Sequence, residues 1–281
     1  MNMTASTPSG PALWRGMDRP TLDAAYDSSA VVPDFKAITG RWPERSAPWR
    51  ARPDTRLDMP YAEPPRCRID LFGPADAAPL VVFLHGGYWQ MRGREQFSFL
   101  AEGPLAHGLG FAAVGYTLGP DAGMDRIVDE CRQALAFLRR DTQGKGRPIV
   151  LSGWSAGGHL TACLQNEAGV IGSLAISGLY ELEPIRLGRL NDKLGMDAAT
   201  ARRHSPLHHL PANSPPMVVA WGEAEQPELR QQSLDYAAAR EAAGLPTRRL
   251  PLAGLHHFDE LDTYADPNGA MTLALVELAR G

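Results

Sequence analysis

From about residue 66 onward the chain keeps a regular rhythm of short apolar runs separated by amphipathic stretches. Residues 67–72 alternate apolar and polar positions, as an exposed edge strand does, and residues 74–78 supply the turn that follows. Leu80–Leu84 is continuously apolar, the pattern of a strand covered on both faces. Residues 97–107 have helical spacing, and 111–116 read as the next strand. Between 125 and 139, Ile127, Cys131, Ala134, Leu135 and Leu138 recur at three- and four-residue intervals, which predicts an amphipathic helix. Further strands are expected at 148–152, Val170–Ile176, 216–221 and Thr247–Leu252. Helices are expected at Ala156–Leu164, at 226–243 and from about 268 onward. Strands alternating with helices predict an α/β protein: a mostly parallel sheet with helices on both faces. Right-handed crossovers then gather the loops after the strands along one edge.

Two segments depart from the rhythm. Residues 1–65 are rich in Pro, Arg and Asp, and only an amphipathic stretch from 21 to about 32 predicts a short helix. They are expected to form an N-terminal leader and short helix packing on the core, ahead of a catalytic domain at 66–281. Residues 179–214 are too long for an ordinary connection. They carry Leu182, Ile185, Leu187, Leu190, Leu194 and Met196, so they can cover something apolar, and a lid is expected there.

Composition narrows the function classes. The 281 residues, 44% hydrophobic, can bury a full core. A net charge of -4 with no long basic run argues against a nucleic-acid partner. No apolar stretch approaches the roughly 18 residues that span a bilayer, so no membrane association is expected. Residues 1–13 lack the form of a secretory signal. Cys67, Cys131 and Cys163 are odd in number and far apart, as buried free thiols in a reducing compartment would be. The expected location is the cytoplasm, the expected partner a small acyl compound, and a homodimer is left open.

The chemistry centres on Gly153-Trp154-Ser155-Ala156-Gly157, which lies between an apolar run and a helix-forming segment. A serine on such a sharp strand-to-helix turn projects its hydroxyl out of the sheet. A serine hydroxyl is a weak nucleophile and needs a base and an oxyanion stabiliser. Upstream, Leu80–Leu84 runs into His85-Gly86-Gly87-Tyr88-Trp89, whose glycines let the backbone curl. The amides of Gly87, Tyr88 and Ala156 are the expected oxyanion donors, each typically worth about 3 kcal/mol of barrier. The His85 side chain is expected to shape this loop rather than act as base.

For the base, His257 lies in the loop past the last strand, with His256 as its neighbour and rival. The orienting acid is expected after the strand at 216–221, where Glu225 competes with Glu223 and Glu228. His204, His208 and His209 do not have the spacing of a metal site, and no metal or organic cofactor is implied. Trp89, Trp154 and Tyr180, with Tyr88, are expected to wall an apolar substrate pocket.

These residues resemble those of the α/β-hydrolase superfamily, and within it the kynurenine formamidase (arylformamidase) group of esterase-like hydrolases. The resemblance runs from about Tyr26 to Phe258 and rests on four stretches. These are Tyr26-Asp27-Ser28-Ser29, His85-Gly86-Gly87-Tyr88-Trp89-Gln90, Gly153-Trp154-Ser155-Ala156-Gly157-Gly158-His159-Leu160 and Ser177-Gly178-Leu179-Tyr180-Glu181-Leu182-Glu183-Pro184-Ile185, with the pair His257-Phe258 closing it. It implies hydrolysis of N-formylkynurenine to kynurenine and formate through a formyl-enzyme. It also implies Ser155 as nucleophile, His257 as base, and Gly87, Tyr88 and Ala156 as oxyanion donors. The family usually has Asp where this chain has Glu225, and relatives with the same pattern include plain carboxylesterases. A carboxylesterase acting on short-chain acyl esters is therefore the alternative reading. A hydrolase-fold protein that binds without cleaving is disfavoured because nucleophile, base and oxyanion loop are all present.

Overall fold

The protein is described by a computed structural model covering residues 10–74, 79–140 and 146–281. Residues 1–9 of the expected leader and all but Pro74 of the turn at 74–78 lie outside the described residues. Among the latter, eight strands form one sheet: β1 (Thr55–Pro60), β2 (Arg68–Phe72), β3 (Leu80–Leu84), β4 (Gly110–Val114), β5 (Ile149–Trp154), β6 (Val170–Ile176), β7 (Met217–Gly222) and β8 (Thr247–Leu252). Their spatial order is β1-β2-β4-β3-β5-β6-β7-β8. β1 and β2 run antiparallel to their neighbours, and the ladder from β4 to β8 is parallel.

Strand β3 shows why its run is continuously apolar. Val82 and Leu84 join one core beneath helices Met124–Arg140 and Ala156–Leu164. Val81 and Phe83 point the other way, into a second core with helix Ala270–Arg280 and the 3₁₀ turn Arg94–Ala101. Successive side chains on a strand face opposite ways, so a strand sandwiched between two layers is apolar at every position.

The edge is not where the alternation at 67–72 placed it. β1 pairs outside β2, which becomes an interior strand. Asp70, a polar position in that alternation, is fully buried. It is ion-paired with Arg50 and Arg94 and accepts the amide of Asp58. A charge can leave water when cations and an amide saturate it.

The expected helix at 21–32 is two helices. Asp18 caps Arg19–Ala25 by accepting from the Thr21 amide, and Asp27 starts Ser28–Val31 by accepting from Ala30. Phe35–Gly40 and Trp42–Arg50 follow. Trp42 is buried among Phe97, Phe99, Trp154 and Phe258, so these helices are packed onto the second core. The insertion between β6 and β7 carries short helices Glu183–Leu187, Asn191–Leu194 and Ala198–Arg203. Among the described residues, no helix is long and apolar enough to cross a membrane.

Candidate active site

β3, β5, β6, β7 and β8 run parallel, so the segments after them emerge on one edge of the sheet. Those segments carry the His85–Trp89 loop, Ser155, Ser177, Glu225 and His257 in turn. Ser155 directly follows β5 and caps helix Ala156–Leu164 with φ 57° and ψ -118°, a conformation that an L-residue adopts only when its surroundings impose it. The imposition comes from both sides. The Ser155 amide donates to the carbonyl of Ile176 at the end of β6 at 2.8 Å. Gly157 passes so close to β3 that a Cβ there would sit 1.9 Å from the carbonyl oxygen of Leu84. Only glycine lets strand and helix approach this tightly.

The loop after β3 curls for a similar reason. Gly87 has φ +114°, and a Cβ would meet the Met91 carbonyl oxygen at 2.3 Å. Tyr88 and Trp89 follow with φ 50° and 56°, and the Gly87 carbonyl accepts from the amides of Gln90 and Met91. Its carbonyl is thereby engaged within the loop. The Ala156 amide, at the first position of its helix, has no intrahelical acceptor. Gly87, Tyr88 and Ser155 line one cavity of about 320 Å³, together with Trp154, His257 and Phe258.

His257 lies in the loop after β8. Its Nδ1 is 2.5 Å from Glu225 Oε1, and both side chains are almost wholly buried. The acid and histidine loops are tied together by backbone bonds, Glu223 N to Leu252 O at 3.0 Å and Ala224 N to Leu255 O at 2.9 Å. Of the three carboxylates considered, Glu225 is the one on the ring. Glu223 is exposed, and Glu228 faces Arg15 at 3.6 Å. His256 turns back into its own loop, where its Nδ1 is 3.0 Å from Asp259.

Sequence reading missed a second carboxyl. Glu260, one helical turn beyond His257 in sequence, is fully buried with Oε1 3.8 Å from His257 Nδ1. Trp154 Nε1 donates to the same Oε1 at 2.9 Å and to the backbone carbonyl of His257 at 2.9 Å. Ser177 Oγ lies 3.0 Å from Glu225 Oε2 and 2.9 Å from Glu260 Oε2. A hydroxyl has one hydrogen, so it donates to one carboxyl and must accept from the other. Burial, and then the charge of Glu225, push the Glu260 acid well above the usual carboxylate range. Glu260 is therefore the protonated member: its O–H donates to Ser177, and Ser177 donates to Glu225. The only early signal for this was an acidic residue three positions after the histidine.

Glu225, His257 and Glu260 also form a cluster whose ligand atoms lie within 4.8 Å of one another. Their donor atoms are already engaged with one another, Ser177 and Trp154, so the arrangement reads as a hydrogen-bond network. The histidines of the insertion are dispersed: His204 on Asp125, His208 on Glu181 and His209 on the Arg202 carbonyl.

Two residues expected in the substrate pocket are elsewhere. Trp89 is fully buried in the first core, its ring edge-on to His159 at 5.0 Å. Tyr180 stacks on Tyr236 at 4.1 Å beneath helix Pro227–Ala242. Neither lines the cavity, whereas Trp154 does. The apolar walls come instead from the N-terminal helices (Leu22, Tyr26, Phe35) and from the insertion (Pro184, Ile185, Leu190). His85 is packed between Phe97 and Tyr116, with Nδ1 on the Gly86 carbonyl at 2.8 Å. Burial lowers its pKa to about 3, so it is neutral and turned into the core.

The doubly wound sheet and the serine at its strand-to-helix turn define an α/β-hydrolase, and the chain is a hydrolase. A BD-FAE family model matches residues 69–170. Across 94% of its length the chain is 30% identical to a kynurenine formamidase of Danio rerio and 31% identical to one of Salmo salar, covering 98% of each. The protein belongs to the kynurenine formamidase family. Among solved structures, one titled a putative thioesterase from a Silicibacter species superposes with TM-score 0.82 at 30% identity, over 91% of this chain and 98% of that one. An esterase of Pyrobaculum calidifontis, 18% identical with TM-score 0.71 over 93% and 96% of the two chains, shares the fold.

Proposed function

We propose that the protein hydrolyses N-formylkynurenine to kynurenine and formate through a formyl-enzyme on Ser155. The observation that carries this reading is the His257–Glu225 pair, its imidazole lining the same cavity as the elbow serine. In this reading the Ser155 hydroxyl attacks the formyl carbon and its proton passes to His257, whose cation Glu225 stabilises. The oxyanion that forms is held by the amides of Gly87, Tyr88 and Ala156. Collapse breaks the C–N bond, and the departing arylamine takes the proton from His257. Water then repeats the sequence on the formyl ester and releases formate. The apolar walls suit an aromatic leaving group, and the insertion acts as a lid because Pro184, Ile185 and Leu190 form part of those walls. The relatives named kynurenine formamidase support the same substrate.

Turnover of N-formylkynurenine measured beside short p-nitrophenyl esters tests the reading. A strong preference for the formamide is expected, and a preference for the esters would assign a carboxylesterase. A fluorophosphonate probe should label Ser155, and absence of labelling would remove the serine mechanism.

A further inference from the structure

The cavity holds two arginines that the reaction chemistry does not use, and only one of them has an acidic partner. Arg92 lies in the loop after β3, five residues beyond Gly87, and lines the cavity beside Trp154 and Ser155. Its guanidinium carbon is 4.7 Å from the Trp42 ring centroid and 5.9 Å from that of Trp154. Among the described residues it makes no ion pair. The contrast with its neighbours is sharp. Arg94 is paired with Asp58 and Asp70, and Arg189, the other arginine of the cavity, with Asp27. Asp23, also at the cavity, accepts the Arg189 amide at 2.6 Å. The cavity's acids are thus engaged with Arg189, and Arg92 is left as an uncompensated positive charge in an apolar wall.

Arg92 is half-buried, and drawing an unpaired guanidinium partly out of water costs free energy that ring faces offset only in part, because they accept no planar pair of hydrogen bonds. Burial lowers the Arg92 pKa to about 10, so the group is charged at neutral pH. A guanidinium held over two indole rings is also restricted in direction. Its stem cannot swing out to solvent without giving up those contacts. The partner that a fixed fork of N–H donors matches is a carboxylate, bound by two parallel hydrogen bonds.

We propose that Arg92 is the anion-anchoring residue of the cavity: it binds a carboxylate carried by the substrate while the scissile acyl group lies at Ser155. The inference rests on the hydrolase reading above and deepens it, since it selects acyl compounds bearing a carboxylate remote from the bond cleaved. A neutral ester or formamide of the same shape leaves Arg92 unpaired and gains nothing from it.

The test compares N-formylkynurenine with its α-carboxamide, which has the same shape without the negative charge. Arg92→Gln should lower kcat/KM for the acid at least about tenfold, the usual weight of a lost charge-assisted pair. The loss should fall mainly on KM, and the carboxamide should change by less than about threefold. Arg92→Lys should recover part of the difference. An equal loss on both substrates, or no loss on either, overturns the assignment, because a residue that only packs against Trp42 and Trp154 cannot distinguish them.

Two further measurements keep this separate from the choice of substrate and from folding of the variant. In the unaltered protein, quenching of tryptophan fluorescence should show benzoate binding more tightly than benzamide, with the difference shrinking as salt is added. Equal affinities would overturn the anchor even if N-formylkynurenine is turned over. If neither kynurenine compound is turned over, the substrate reading fails, and the benzoate preference still decides the role of Arg92.

Discussion

The carboxyl groups of Glu225 and Glu260 meet across a single hydroxyl, and only one of them can be charged. Ser177 stands 3.0 Å from the first and 2.9 Å from the second, and its one hydrogen orders the chain from Glu260 through Ser177 to Glu225 and on to His257. Glu260→Gln preserves this order, since an amide can donate to Ser177 and accept from Trp154. At pH 7 its kcat should lie within about threefold of the parent value, the scale of one neutral hydrogen bond. Glu260→Ala removes both bonds and should cost about 1–3 kcal/mol of stability. A large rate loss in the glutamine variant alone would show that Glu260 acts as an anion.

The same acid makes a statement about alkaline stability. Its folded pKa is raised, so between about pH 4.5 and that raised value the unfolded chain has lost a proton that the folded protein keeps. Stability therefore falls as pH rises, by about 1.4 kcal/mol per unit for one such proton. Denaturant titrations from pH 5 upward should show the decline in the parent protein and a flatter profile in Glu260→Gln.

Acid stability is governed by two buried imidazoles with the opposite sign. Burial lowers both His85 and His159 to about 3, against an ordinary value of 6.5. As pH drops below 6.5 the unfolded chain takes up two protons that the folded one refuses. Each contributes a loss of about 1.4 kcal/mol per pH unit. Thermal melts between pH 7 and 4 should fall steeply, and His159→Gln should reduce the slope by one proton's worth. An unchanged slope would mean that the imidazole is charged in the folded protein.

Glu225→Gln replaces the carboxylate on His257 Nδ1 with an amide, and under the proposed mechanism this removes the charge that would stabilise the imidazolium formed in the reaction. By analogy with the corresponding change in serine proteases, kcat should drop by roughly 10⁴. Stopped-time assays at pH 7 and a fluorophosphonate labelling rate should fall together.

Gly157→Ala tests the approach of helix and strand at the elbow. With a Cβ 1.9 Å from the Leu84 oxygen, the two elements must separate, and stability should drop by at least about 2 kcal/mol. A melting temperature equal to the parent's would show that the elbow is looser than its backbone implies.

The parts of the fold that were legible from sequence are those where burial dictates composition. β3 through β7 read correctly because a strand inside two layers shows as an apolar run, whereas β8, at the other edge, keeps only Leu252 fully buried. β1 did not read as a strand, since Thr55–Pro60 contains Arg56, Asp58 and Pro60, and an edge strand buries only part of itself. Asp70 misled for a related reason: alternation records polarity, not whether Arg50 and Arg94 neutralise it. Ser155, Glu225 and His257 could be placed near one another from sequence because each follows a strand on the common edge, and the structure brings Glu225 onto His257 and sets His257 and Ser155 around one cavity. Trp89 and Tyr180 were misjudged because being aromatic does not reveal direction, and Trp89 is turned inward by positive φ values at two successive residues. Arg92 and Glu260 were overlooked, as nothing local separates a loop arginine or a post-histidine acid from solvent-facing ones.

The cavity takes its walls from Leu22, Tyr26 and Phe35 near one end of the chain and from His257 and Phe258 near the other. During synthesis the first helices leave the ribosome long before the segment that bears the imidazole, with most of the sheet still to be translated between them. The two ends of the cavity therefore meet only once the segment after the final strand docks on the first helices, Phe258 against Phe35. Exchange of the N-terminal arm would likewise reshape which molecules are admitted, and would also disturb Tyr88 and Trp154, which rest on Tyr26 and Trp42.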